Sequence, residues 1–122
     1  MRPWTENVII DASALGAYRL IIGAASSRHV ADFSRRTLAV VVEHDRKRNG
    51  CLLKTLRMYL ANGSSLSLAA RALGVHVHTV QYRLTKLEEL TGLSLHNSED
   101  RLTLELALRI FDLVGSERGR SV

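Results

Sequence analysis

A single cysteine, Cys51, leaves this 122-residue chain without an internal disulfide framework and without a thiolate-built metal site. Its simplest role is that of a small packing residue in a reducing compartment. One proline and 5% aromatic residues mean that the 46% hydrophobic content is carried by Leu, Ala, Val and Ile, a composition suited to an all-α core. No apolar run approaches the roughly 20 residues needed to span a bilayer, and the N-terminus lacks the layout of a secretory signal. A cytoplasmic protein without membrane contact is therefore expected. The length suits one small domain, with a fragment of another attached.

The net charge of +5 fits a polyanionic partner, but it is unevenly spread. Residues 1–62 hold 10 Lys/Arg against 5 Asp/Glu, whereas residues 63–122 hold 7 against 7. Phosphate attraction in the second half must come from local placement of Arg71, Arg83 and Lys86, helped by the upstream cluster Arg46-Lys47-Arg48.

Hydrophobic spacing divides the chain. Val8-Ile9-Ile10 reads as at most an edge strand, and Asp11 or Ser13 can cap a helix running through Ile22. Residues 1–26 are thus read as an N-terminal extension. Ser27 can cap a helix over about 28–47, carrying Val30, Phe33, Leu38, Val41 and Val42, with its three cations at the negative end of the helix dipole. Asn49-Gly50 breaks it. Leu52, Leu53, Leu56, Tyr59 and Leu60 form a further helix ending at Asn62-Gly63, so residues 27–63 are connecting and scaffold helices.

Residues 64–114 hold the organising stretch. A short helix over Ser65–Leu73, capped by Ser65 or Ser67, is stopped by Gly74, which tolerates a left-handed backbone. Its Ala69, Ala70 and Ala72 allow close crossing by a second helix that begins near His76. On that helix Val80, Leu84 and Leu87 share one face, while His78, Tyr82, Thr85 and Lys86 lie opposite. This is the helix-turn-helix plan, whose second helix enters the major groove. Leu93 and Leu95 fold back on the core. Asn97 or Ser98 caps a closing helix with two apolar stripes: Leu102, Leu106, Ile110 and Leu113, and Leu104, Leu108 and Phe111. One domain buries one stripe; the second needs the N-terminal helices or a partner subunit. Residues 115–122 read as a disordered tail.

The identity of the residues narrows the reading. His76, Thr79-Val80, Tyr82-Arg83-Leu84, Lys86, Glu88 and Leu90-Thr91-Gly92 resemble the C-terminal helix-turn-helix of the PucR/CdaR family of bacterial transcription regulators. Asn97-Ser98-Glu99-Asp100-Arg101-Leu102 and Leu104 to Leu108 are similar to that family's closing helix, and there is a distant likeness to Fis-type proteins. Leu15-Gly16 and Tyr18-Arg19-Leu20 resemble the end of the family's regulatory domain. The resemblance covers about residues 13–112. It implies a small all-α domain with a Fis-like helix-turn-helix, preceded by helices from the end of an upstream regulatory domain that would carry any effector site. The sequence departs from the family at His78, where Asn is common, and at Val77 and Gln81, which are often basic, so base preference does not carry over.

Placement on the second helix assigns each candidate contact a role. His76 is positioned to cap the helix and sit near a phosphate; His78 and Thr79 can reach base edges; Gln81 can pair with adenine. Tyr82, Arg83 and Lys86 suit phosphates, which position rather than specify. His76 and His78, taken as i and i+2 on a helix, point apart and make no metal pair. Glu88-Glu89 read as a solvated face with no nucleophile or phosphate loop beside them, so neither catalysis nor a cofactor is expected. The expected function is DNA-binding transcription regulation by a homodimer on paired half-sites, in the cytoplasm with the nucleoid. The alternative is a non-enzymatic dimerisation or interaction module that keeps the scaffold but binds DNA weakly.

Overall fold

The computed structural model describes residues 19, 20, 23 and 28–121, with side chains as far as 114. The expected strand at Val8–Ile10, the Ser27 cap and nearly all of the helix after Asp11 lie outside the described residues; Arg19, Leu20 and Gly23 are helical. Five helices follow: α1 Arg28–Arg48, α2 Leu52–Ala61, α3 Leu66–Leu73, α4 Val77–Thr91 and α5 Ser98–Ser121. No strand occurs among the described residues. The all-α reading holds.

Each helix has a local cause. The three valines at 40–42 do not interrupt α1, because Leu38 and Val41 bury fully and Val42 packs beside them; packing outweighs a few tenths of a kcal/mol of propensity per residue. The chain turns at Asn49 with φ 50°, and Asp45 then reaches across the corner. Its Oδ1 and Oδ2 accept from the N–H groups of Leu52 and Leu53 at 2.9 and 3.1 Å, capping α2 from outside the helix. Ser65 Oγ accepts from Leu68 N–H at 3.1 Å to start α3. Asn97 Oδ1 does the same for Asp100 N–H at 2.9 Å, with Glu99 and Asp100 in the first turn of α5.

The helices share one core. Leu38 and Val41 of α1, Leu56 of α2, Ala69 of α3, Val80 and Leu87 of α4, and Leu104 and Ala107 of α5 are fully buried in it, joined by Leu95 from the α4–α5 loop. Helices α2, α3 and α4 pack on one another, while α1 lies chiefly along α5. Ser34 Oγ, buried between those two, donates to the Ala107 carbonyl at 2.6 Å. Arg57 of α2 makes a bidentate pair with Asp112 of α5, at 2.7 and 3.0 Å, which raises the Arg57 guanidinium pKa above its usual value. The pair is about two-fifths exposed, so it contributes under ~1 kcal/mol.

Three expectations need correction. Ala72 faces solvent, so the close crossing of α3 and α4 rests on Ala69 and Ala70 alone. The first stripe of α5 is not uniform: Ile110 is buried, whereas Leu102 and Leu106 stay exposed. Residues 115–121, expected as a disordered tail, continue α5 to Ser121. Once a helix is nucleated, each further residue adds a hydrogen bond at little cost.

Candidate nucleic-acid interface

The corner between α3 and α4 is a Schellman turn. Gly74, with φ 71°, lets its N–H reach the Arg71 carbonyl at 3.2 Å and the Val75 N–H reach that of Ala70 at 3.0 Å. Val75 and Val77 pack against the core at this bend. Val77 therefore faces inward, and a basic residue there would lie at the edge of the core rather than on the outer face.

Helix α4 then separates its faces cleanly. Val80, Leu84 and Leu87 are buried, and His78, Gln81, Tyr82 and Thr85 are exposed, Tyr82 by 71%. Thr79 and Lys86 are half-buried on the flank between. The outer face of the first three turns thus offers an imidazole, a carboxamide, a phenol and a hydroxyl. Thr85 was missing from the sequence-based set although it stands on the same face; its position opposite Leu84 and Leu87 is the signal that would have included it.

His76 is the N-cap, with φ −73° and ψ 151°, and its Nδ1 accepts from the His78 N–H at 3.0 Å. The capping nitrogen must be unprotonated, which places the ring proton on Nε2. The expectation that the two imidazoles point apart is corrected: their centroids are 4.8 Å apart and tilted by 46°. His76 lies outside the helix, so helical spacing does not apply to it. No third ligand joins them, and among the described residues no group of three His, Cys, Asp or Glu could hold a metal.

Arg83 and Lys86 are not free arms. Arg83 Nη1 donates to Thr55 Oγ1 of α2 at 3.3 Å, and Lys86 Nζ lies 4.0 Å from Glu89. Arg71 is exposed at the end of α3. Glu88 departs from its expected role as a solvated carboxylate: its Oε2 accepts from the Leu95 N–H at 2.7 Å. Asp100 accepts from Ser94 N–H at 3.0 Å, and Arg101 donates to the Leu95 carbonyl at 3.1 Å, so the α4–α5 loop is tied at both sides.

Comparison with known proteins bears directly on this arrangement. Residues 52–110, from the start of α2 to the buried part of α5, match the PucR C-terminal helix-turn-helix domain. These residues are a PucR-type helix-turn-helix domain. The chain is 30% identical over 105 residues to the proline-responsive transcriptional activator PutR of Bacillus subtilis, covering 86% of this chain and 26% of that protein. It is 42% identical over 82 residues to the purine catabolism regulatory protein of the same organism, covering 67% of this chain and 15% of the relative. An uncharacterised protein from the pkwA 5′ region of Thermomonospora curvata is 33% identical over 127 aligned positions, covering 90% of this chain and 71% of its own length. The chain thus spans about a quarter or less of the two Bacillus regulators. No solved structure gives a significant match.

Within this PucR-type domain, α3 and α4 are the two helices of the motif and α2 is the helix on which both rest. The family's closing helix is α5, and α1 precedes the matched residues.

Proposed function

We propose that the chain binds duplex DNA as part of a transcription regulator, with α4 in the major groove and no catalytic step of its own. The observation that carries this reading is the outward face of α4: His78, Gln81, Tyr82 and Thr85 are exposed on a helix held from behind by Val80, Leu84 and Leu87. The likeness to the transcriptional activator PutR and to the purine catabolism regulatory protein supports the same reading. His78, Thr79 and Gln81 on the first turns read base edges; His76, Tyr82 and Lys86 meet the backbone; Arg83 braces α4 against α2 and reaches phosphate with its remaining N–H groups. Glu89, exposed on the fourth turn, keeps the DNA on the N-terminal half.

The chain acts as a homodimer on paired half-sites. Leu102 and Leu106, exposed along α5, provide an apolar surface for pairing. It works in the cytoplasm with the nucleoid, needs no cofactor, and receives effector signals only through regulatory domains outside these residues. No helix among those described is long and apolar enough to cross a membrane.

Site selection from a random duplex library tests the reading. Gln81→Ala is expected to relax preference at one position by about 1–3 kcal/mol, whereas Lys86→Ala weakens all sequences alike. Absence of any enriched site and of low-salt binding by the folded protein would sink it.

A further inference from the structure

The cations at the junction of α1 and α2 fall into two groups. Arg46 and Lys47 are engaged by Glu43, at 2.6 and 3.7 Å, and the hydrogen bond from Arg46 holds the Glu43 carboxyl below its usual pKa. Arg48 and Lys54 are exposed, and neither has an ion-pair or hydrogen-bond partner for its side chain among the described residues.

Their place beside the groove-reading helix is fixed by short contacts. Arg83 of α4 donates to Thr55 Oγ1, and that hydroxyl donates to the Cys51 carbonyl at 2.7 Å. The Arg83 flank of α4 therefore rests on the first turns of α2, next to Lys54. The two hydrogen bonds to Asp45 lock the end of α1, where Arg48 stands, onto the same turn. Because Asp45 already occupies the free amides of α2, an anion arriving here meets side chains rather than a helix end. The opposite flank offers no equivalent: the side chain that stands there is Glu88, turned to the Leu95 amide.

We propose that Arg48 and Lys54 form a second DNA contact, gripping the phosphodiester backbone on the Arg83 side of α4. The inference rests on the DNA-binding reading above and adds an element outside the two-helix motif. Contacts to phosphate oxygens strengthen binding and its salt dependence but carry no base preference.

The test is binding of the full chain to a short random-sequence duplex across a salt series, followed by fluorescence anisotropy. Arg48→Gln with Lys54→Gln is compared with wild type and with Arg28→Gln plus Arg36→Gln. The control removes the same charge from exposed sites about 18 Å or more from Arg48 along α1, beyond two Debye lengths of about 8 Å at physiological salt. The expected result is a log–log salt slope shallower by roughly two in the corner variant, at about 0.9 per phosphate. The control keeps the wild-type slope, and the ranking of selected sequences is unchanged. A corner variant with the wild-type slope, while wild type binds, overturns this contact and leaves the DNA reading standing. Wild type that fails to bind removes the DNA reading and this proposal with it.

Discussion

Single residues set the geometry at both ends of the motif's turn. Gly74 holds φ 71° with open space where a Cβ would stand, so replacement meets backbone strain rather than a clash. Gly74→Ala is expected to cost about 1–2 kcal/mol in urea unfolding, with Gly74→Asn costing less because Asn tolerates the left-handed region. At the other end His76 supplies the cap through Nδ1. His76→Ala should cost about 1 kcal/mol, and His76→Ser should recover most of it, since a hydroxyl can accept the same N–H. A result in which Ala and Ser behave alike would mean that the cap contributes little. Gly50 shows a different constraint: a Cβ there would stand 2.9 Å from Asp45 Oδ1, an atom held by the amide of Leu52.

Among the elements, α2 depends on an acceptor from outside itself. Asp45→Ala leaves the Leu52 and Leu53 amides without their carboxylate and is expected to lower stability by about 1–2 kcal/mol. Chemical denaturation of that variant checks it, and an unchanged midpoint would count against the cap. Helix boundaries were largely legible: the periods over 28–47, from Leu52 to the Asn62-Gly63 stop and over 65–73, with Gly74 as a stop, match α1 to α3 within a residue or two, and α4 begins one residue after His76. Asp45 was not legible as a cap, because its target lies seven residues on, across a bend whose path no local pattern specifies. The same limit hid the bond between Arg83 and Thr55, which are 28 residues apart. The exposed face of α4 was readable because it follows from helical period alone; the pairing of the His76 and His78 rings was not, since His76 sits one residue outside the helix.

For the whole molecule, oligomeric state is the property that the surface of α5 brings forward. Leu102 is 55% exposed and Leu106 lies on the same side. Leu102→Glu with Leu106→Glu is expected to yield a monomer by sedimentation equilibrium while the melting temperature at high dilution stays within a few degrees. Dimers that persist would place the pairing surface elsewhere. By contrast Leu87→Ala, at the centre of the core, should cost about 2–5 kcal/mol and abolish all binding through loss of fold.

Helix α1 lies before the residues matched to the family, yet it contributes Leu38 and Val41 to the common core and ties Ser34 to the backbone of α5. Shared ancestry and cooperative folding therefore have different borders. A chimaera cut at residue 52 would carry the recognisable motif but uncover the flank of α5 that α1 shields. One cut at Arg28 would keep that cover.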